Sequence, residues 1–371
     1  MNQTLDLNLT ASRMPRLGVN TAKDVISNIV LGQIKKGVLP KDITPIMLWG
    51  PPGAGKSELV KQLASIIELD TGKKVHLTDL RLLLFNPVDL RGIPIANEEK
   101  NKAKWLVPEI LDLDKSDEVI NILFLDEISS APPSVQAAAY QITLDHKIGE
   151  HEFPDNTLVI AAGNRKSDSS VSYQMPIPLA NRLLHIEIVP DFIEWKNWAI
   201  ENGINEKIIS YISYKTENLS NQSDDKDDIV IASPRTWVKA SQIMDNINDR
   251  KTQEIALSGL IGIGTASEFF SYIDNVGIIP DINKIFEGDF SDIPDKPDVF
   301  YAFITGISTR CREYLKEGKD IKNVFKFGEI IPADYSLILH DNIASLLVNS
   351  KSEYLYDEDY LNWTLALTST I

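Results

Sequence analysis

The stretch TPIMLWGPPGAGKSELVKQLASIIELD, residues 44–70, decides the fold of this chain. Its apolar run Ile46–Trp49 is typical of a buried strand, and apolar residues after Ser57 recur at the spacing of an amphipathic helix. Between them, Gly50–Ser57 fits G-x-x-x-x-G-K-[ST], a pattern that marks a phosphate-binding loop when a strand precedes it and a helix follows. A glycine-rich turn that fits this pattern by chance would not need a strand before it and a helix after it. The stretch therefore predicts a site for a nucleoside triphosphate.

The predicted loop offers several kinds of contact to a triphosphate. Glycines let the backbone N–H groups turn inward around a phosphate, at the positive end of the following helix. Lys56 would reach the outer phosphates, and the Ser57 hydroxyl would hold Mg²⁺. The residues predicted to bind the nucleotide are Gly50, Pro51, Pro52, Gly53, Ala54, Gly55, Lys56, Ser57 and Glu58.

Length and composition limit the classes of protein to consider. A chain of 371 residues can form two domains, or one large core with appendages. Its formal net charge is −16, which argues against a nucleic-acid backbone as the main partner. Cys311 is the only cysteine, so an intramolecular disulfide and a thiolate cluster for zinc are excluded. Residues 1–20 lack the apolar region of a secretory signal and no apolar run is long enough to cross a membrane, so we expect a cytoplasmic protein.

A second apolar run, INILFLDE at Ile120–Glu127, ends in two carboxylates. This pattern predicts a central strand that is buried on both faces, with its polar end where ligands of open α/β sheets bind. Asp126 would help to hold Mg²⁺, and Glu127 would polarise the attacking water. In isolation, such a run would be explained by a strand followed by a polar turn. That explanation does not account for a phosphate-binding loop in the same chain.

Three further polar residues are candidates for the same site. Asn164 follows the β-rich run Thr157–Ala162, where an amide could orient the lytic water, although Asn is also an ordinary turn residue. Arg182 lies in a short predicted helix before another strand, a place where an arginine commonly caps or pairs at a surface. Arg235 follows Ser233, a predicted N-cap, and a cation at a helix N-terminus is unfavourable to the helix dipole. That misfit suggests another partner for Arg235.

The rest of the pattern predicts two inserted hairpins and a helical C-terminal half. One hairpin surrounds the charged turn at Asn97–Lys104, and the other spans Lys147–Asn156 with Gly149 in its turn. The charged element Asp89–Gly92 fits an interaction site and a plain structural role equally well. The helices predicted after Pro190 are Phe192–Asn202, Glu206–Thr216, Arg235–Asn248, Thr252–Asp274, Val299–Lys316 and Ala333–Ser350.

Taken together, these motifs resemble the MoxR-like branch of the AAA+ ATPases, which is often encoded beside von Willebrand factor A domain proteins. GPPGAGKS resembles Walker A and LFLDE resembles Walker B. GNR around Asn164 is similar to the first sensor, LANRL around Arg182 to the arginine-finger position, and SPR around Arg235 to the second sensor. The likeness is strong over residues 46–243 and looser beyond them.

The resemblance implies an α/β fold with a parallel P-loop sheet flanked by helices, followed by a helical lid and a mostly helical extension. The implied domains are an arm at residues 1–20, a nucleotide-binding domain at 21–190, a lid at 191–275 and an extension at 276–371. It also implies ATP and Mg²⁺ as cofactors and a homo-oligomer, a hexameric ring, whose active site lies between subunits. In that ring Lys56, Ser57, Asp126, Glu127, Asn164 and Arg235 would act within one subunit and Arg182 on its neighbour, with a shared role for Arg165 left open.

The resulting hypothesis is an ATP-hydrolysing chaperone or remodelling ATPase that acts on a protein partner, such as a von Willebrand factor A domain protein. Two alternatives remain. A nucleic-acid-dependent motor is disfavoured by the acidic balance and by the absence of an aromatic and basic stripe. A nucleotide-gated scaffold with little turnover is disfavoured by the intact pair Asp126–Glu127.

Overall fold

The computed structural model describes residues 14–165, 173, 175, 180–221, 230–275 and 280–368. The chain divides into two compact units, Met1–Asp191 and Phe192–Ile371. No helix in the described ranges is long and apolar enough to cross a membrane.

The first unit is built on a parallel sheet. Its strands and those of two hairpins are β1 (Arg16–Leu17), β2 (Ile46–Trp49), β3 (Lys74–Arg81), β4 (Ile93–Ala96), β5 (Ala103–Leu106), β6 (Val119–Asp126), β7 (Lys147–Ile148), β8 (His151–Glu152), β9 (Thr157–Gly163) and β10 (Leu184–Ile188). Six of them form one sheet in the order β1-β10-β2-β9-β6-β3, and every neighbouring pair is parallel. The carboxyl ends of β2, β9 and β6 therefore lie side by side at one edge of the sheet. This confirms the predicted α/β fold class.

Strand β6 runs through the middle of the core. Every residue from Val119 to Leu125 is buried, as the apolar run predicts for a strand covered on both faces. Ile122 and Phe124 point into the cluster beneath the helix that follows β2, while Leu123 and Leu125 point into a cluster on the opposite face. Because Asp126 ends this strand, its carboxylate is held at the edge of a rigid core.

Helices cover both faces of this sheet. They are α1 (Val19–Ile34), α2 (Lys56–Thr71), α3 (Pro87–Arg91) and α4 (Pro133–Asp145). Helix α2 ends at Gly72, whose φ of 70° fits the left-handed C-cap that glycine favours. Within the predicted N-terminal arm, Arg16 and Leu17 pair with β10, and α1 begins at Val19.

Both predicted hairpins are present. Strands β4 and β5 pair antiparallel around the charged turn, and β7 pairs with β8 around Gly149 at a φ of 59°. The hairpin β4–β5 exposes apolar side chains, with Ile93 59%, Ile95 41% and Leu106 50% accessible. An exposed apolar face of this kind is typical of a surface that contacts another molecule.

The described part of the second unit is helical. Its helices are α5 (Phe192–Glu201), α6 (Glu206–Tyr214), α7 (Pro234–Asn246), α8 (Arg250–Ile261), α9 (Ile263–Asn275), α10 (Asn283–Glu287), α11 (Pro297–Glu317), α12 (Lys322–Ile330), α13 (Ala333–Asn349) and α14 (Glu358–Thr368). The single helix predicted over Thr252–Asp274 is wrong, because Gly262 ends α8 at a φ of 87° and ψ of 148°. That conformation lies outside the helical region and is open to glycine, so α9 starts as a separate helix.

One aromatic core joins the helices of this unit. Trp237 and Phe269, from the predicted lid, belong to the same buried cluster as Phe303 and Trp363, from the predicted extension. The indole N–H of Trp237 donates to the Asn218 carbonyl at 2.8 Å, which satisfies the polar end of a fully buried ring. The predicted boundary between lid and extension, near residue 275, stays a prediction.

Two histidines make the stability of the fold depend on pH. Burial lowers the pKa of His146, although Asp42 and Asp155 favour its charged form, and burial likewise lowers the pKa of His340. Both ring nitrogens of His146 are buried without a hydrogen-bond partner in the described part of the chain. In the unfolded chain these rings take up a proton near pH ~6.5, whereas in the folded protein they take it up only at lower pH. The unfolded state then binds more protons, so stability falls as the pH drops through that window.

We expect the variant His146→Asn to lose part of this pH dependence. Asparagine does not titrate here and tolerates the left-handed backbone that His146 adopts at a φ of 48°. Urea unfolding at about pH 7.5 and about pH 5.5 should give a smaller difference in unfolding free energy for the variant than for the wild type. Between about pH 7.5 and about pH 8.5, where a histidine is neutral in both states, the two proteins should respond alike. Equal differences in the acidic window would contradict this account.

Candidate nucleotide-binding site

The loop between β2 and α2 has a backbone that only glycine adopts readily. Gly50, Gly53 and Gly55 have φ values of 148°, 81° and 96°. A Cβ on Gly50 would also collide with the carbonyl oxygen of Ile188 on β10. The glycines of the motif therefore stand where the backbone requires them, in a loop of the kind whose N–H groups can form a cradle for a phosphate.

Lys56 is buried at the start of α2, with its ammonium aimed back into the loop. Its Nζ donates to the Gly50 carbonyl at 2.6 Å, to the Pro51 carbonyl at 3.0 Å and to Oδ1 of Asn164 at 3.0 Å. A buried ammonium held by neutral oxygens is suited to receive an anion. The predicted role of Lys56 on the outer phosphates fits this position.

Ser57 and Asp126 meet although they are far apart in sequence. The Ser57 hydroxyl donates to Oδ2 of Asp126 at 3.0 Å, which places a hydroxyl and a carboxylate oxygen side by side. These are the ligand types of Mg²⁺, which usually binds one or two protein groups together with phosphate oxygens and water. In the described ranges no group of three or more His, Cys, Asp or Glu side chains could hold a metal ion. The two residues thus fit the predicted metal role.

Glu127 has an unusual backbone directly after the strand. Its φ is 59°, which is uncommon for a residue with a side chain, and its N–H donates to Oδ1 of Asp126 at 2.9 Å. Strained conformations of this kind cluster at functional sites. Glu127 is half-buried beside Asp126, in keeping with its predicted role in polarising water.

The position of Asn164 depends on Ser129, which the sequence motifs did not include. Ser129 is buried, and its Oγ accepts a hydrogen bond from the Asn164 N–H at 2.9 Å. A Cβ on the preceding Gly163 would lie 2.8 Å from this Oγ and 2.9 Å from Cε of Met47. Close packing at the end of β9 thereby fixes the amide that contacts Lys56. Ser129 lies two residues after Glu127, outside the quoted motif LFLDE, and a single serine there gives no signal by itself.

Arg165 is paired within its own subunit. Its guanidinium contacts Oε2 of Glu187 at 2.6 Å, and Arg16 contacts the same oxygen at 3.3 Å. The Glu187 side chain is only 6% exposed, so removing one cation would leave a poorly solvated carboxylate with less compensation. This pairing gives Arg165 a structural partner and speaks against its sharing the role of Arg182.

Arg182 is exposed in a tight turn immediately before β10. The turn is closed by the Leu183 N–H, which donates to the Ala180 carbonyl at 3.3 Å. Arg235 is exposed at the start of α7 in the second unit, after a Ser233 N-cap that accepts from the Thr236 N–H, as predicted. The Glu58 side chain is exposed and bonds with Gln62. The roles of Arg182, Arg235 and Glu58 toward a nucleotide stay predictions.

Several solved structures are similar to this chain. Similar solved structures include a RuvB mutant from Thermotoga maritima (17% identity, 74% of this chain and 77% of that one, TM-score 0.40) and PCH-2 from C. elegans (16%, 69% and 68%, 0.36). A chain of the E. coli HORMA:CdnC:Trip13 complex also matches (12%, 68% and 87%, 0.38). At these identities and TM-scores the three support no argument about this chain. No curated protein matches this chain.

The profile of the ATPase family associated with various cellular activities matches residues 45–185. These residues include the loop after β2, the acidic end of β6, Asn164 and the turn with Arg182. The first unit thus has the AAA+ P-loop fold, and the segment that carries its candidate site matches the AAA family of ATPases.

Proposed function

We propose that this protein is an ATP-hydrolysing AAA+ machine of the MoxR type that acts as a ring oligomer on a protein partner. The observation that carries the proposal is one connected set of side chains at the edge of the sheet. Lys56 bonds with Asn164, Ser57 bonds with Asp126, and Glu127 follows Asp126 directly. These groups lie together at the ends of three strands. Phosphoryl transfer needs such an arrangement, because its catalysis depends on positioning and on electrostatic stabilisation.

The groups divide the chemistry among them. The cradle of Gly50–Ser57 would bind the phosphates, and Lys56 would stabilise the charge on the outer ones. Ser57 and Asp126 would hold Mg²⁺, which neutralises phosphate charge when it is bound. Glu127 would polarise the attacking water, and Asn164 would orient it.

A ring would complete the site. Arg182 is exposed on its turn, and an arginine supplied by a neighbouring subunit would stabilise the charge of the transferring phosphoryl group. Arg235, the candidate second sensor, would contact the phosphates of its own subunit, which would explain a cation at a helix N-terminus. The proposed assembly is a homohexamer.

The proposed client is a protein. The exposed apolar side chains of hairpin β4–β5 favour a protein contact, because such a patch is unusual on a surface that faces only water. The formal net charge of −16 is unfavourable for a nucleic-acid backbone. A von Willebrand factor A domain protein is the partner that the sequence resemblance suggests. ATPase rates measured with and without DNA, and with a candidate partner protein, would test this part of the proposal.

ATP binding at the loop is tested by the variant Lys56→Ala. With ATP and Mg²⁺ at about 100 times the dissociation constant, the wild type should gain about 2.7 kcal/mol of stability, seen as a higher melting temperature. The variant should lose most of this gain, because its loop lacks the buried cation. The matched control Lys61→Ala removes an exposed lysine from the same helix and should keep the full shift. A full ATP-dependent shift in Lys56→Ala would contradict the assignment of the loop.

A further inference from the structure

His185 lies between the loop that binds phosphate and the turn that carries Arg182. The indole N–H of Trp49 donates to Nδ1 of His185 at 2.9 Å, and Nε2 of His185 lies 2.7 Å from the Ala180 carbonyl oxygen. The two rings are nearly parallel, with 6.1 Å between their centroids and 16° between their planes. Both contacts lie within the first unit, and both side chains are half-buried.

These contacts fix the tautomer of His185. An indole N–H can only donate, so Nδ1 of His185 must accept and cannot carry a proton. The single proton of the neutral ring is then on Nε2, where it donates to the Ala180 carbonyl. The hydrogen bond from Trp49 thereby makes His185 a donor toward the turn.

The bond to Ala180 is a second anchor for this turn. The Ala180 carbonyl already accepts from the Leu183 N–H at 3.3 Å, a long hydrogen bond, while the bond from His185 is shorter at 2.7 Å. Arg182 is the third residue of the four that these bonds enclose. The contact from His185 therefore helps to hold the backbone of the turn from which Arg182 projects.

The contacts Trp49–His185 and His185–Ala180 form a bridge. Its other end, Trp49, lies at the base of the phosphate loop. Trp49 is the last residue of β2, and the next residue, Gly50, accepts the 2.6 Å bond from Lys56. His185 also faces Met47 across the parallel pair β2–β10, so the bridge joins two strands that are already paired. A rigid connection thus runs within one subunit from the start of its own loop to the arginine turn.

We propose that His185 is a positioning residue, which holds the turn so that Arg182 reaches the active site of the neighbouring subunit. This proposal rests on the proposed function, since it takes Arg182 to act between subunits. His185 does not touch the nucleotide in this account and acts only through the Ala180 carbonyl. Its loss should lower the turnover of the neighbour's site and leave ATP binding by its own subunit unchanged.

Two amide variants separate the two contacts of the ring. In His185→Gln the amide lies near the position of Nε2, so an N–H can still donate to Ala180. In His185→Asn the amide lies near Nδ1, so it can still accept from Trp49 but does not reach the turn. We expect His185→Asn to lower kcat about 100-fold, as a misplaced catalytic group does, with an unchanged Kd for ATP. His185→Gln should stay within about threefold of the wild-type kcat. Equal kcat values for the two variants, or a weaker Kd that parallels the loss of kcat, would overturn the proposal.

A mixing experiment assigns the defect to the donated arginine. Subunits with His185→Asn keep their phosphate loop, and subunits with Lys56→Ala keep their arginine turn. In a 1:1 mixture that assembles at random, about one interface in four joins an intact loop to an intact turn. We expect the mixture to recover about a quarter of the wild-type rate per site.

The same mixture made with Arg182→Ala in place of His185→Asn is the control. If the control recovers activity and the His185→Asn mixture does not, the role of His185 is refuted and the arginine assignment stands. If the control does not recover either, the transfer of Arg182 between subunits is refuted, and the role of His185 with it. Melting temperatures of both His185 variants without nucleotide, close to that of the wild type, would show that the folded protein is being compared.

Discussion

Replacing Arg182 by alanine is expected to leave ATP binding intact and to lower the ATPase rate of the assembled ring by about 10³- to 10⁵-fold. The loss is large because an arginine finger stabilises charge that develops only in the transition state. Arg182 is exposed on a short turn, so its removal should not disturb the core of the first unit. Steady-state phosphate release and a separate measurement of the Kd for ATP would show the two effects independently.

Two other variants sharpen this test. Asn181→Ala changes the exposed residue next to Arg182 on the same turn and should keep turnover near the wild-type value. Arg165→Ala removes a guanidinium that pairs with the buried Glu187, so it should lower the melting temperature. An assembled Arg182→Ala ring that hydrolyses ATP at the wild-type rate would disprove the assignment.

The variant Glu127→Gln should bind ATP with Mg²⁺ and hydrolyse it about 10²- to 10⁴-fold more slowly than the wild type. Glutamine keeps the size of the side chain but cannot accept a proton from the attacking water. The bond from the backbone N–H of residue 127 to Asp126 does not involve the side chain that is changed. Single-turnover hydrolysis of bound ATP measures the chemical step directly.

The opposite end of the same strand provides a control for this variant. Glu118 is exposed immediately before β6, so Glu118→Gln makes the same chemical change far along the strand from the site. It should hydrolyse ATP at the wild-type rate. Normal single-turnover hydrolysis by Glu127→Gln would show that a group other than Glu127 polarises the water.

The sequence predicts the candidate site better than it predicts the contacts that support it. Lys56, Ser57, Asp126 and Asn164 belong to short patterns with fixed chemistry, and the parallel order of strands brings three chain segments together. Ser129 escaped prediction because its contact with Asn164 joins residues 35 positions apart. Such contacts follow from the packing of strands, which has no local sequence signal.

The helical half shows the same limit for secondary structure. Apolar spacing predicts a helix through Gly262, yet the backbone there leaves the helical region, which glycine allows and spacing does not reveal. Helix α12 (Lys322–Ile330) was not predicted, although it buries Val324, Phe325 and Phe327. Its Gly328 allows the indole of Trp363 to pack against it, a contact between residues 35 positions apart that local spacing does not reveal.

The packing around Gly50, in the phosphate loop, and Gly163, at the end of β9, affects how mutations of these two glycines can be interpreted. A methyl group at Gly50 would meet the backbone of β10, and one at Gly163 would meet Ser129 and Met47, whether or not a nucleotide is present. A loss of activity at either glycine would therefore report a steric conflict between neighbouring strands. Glu127→Gln instead changes a functional group and keeps the size of the side chain, so its effect on hydrolysis can be separated from an effect on packing.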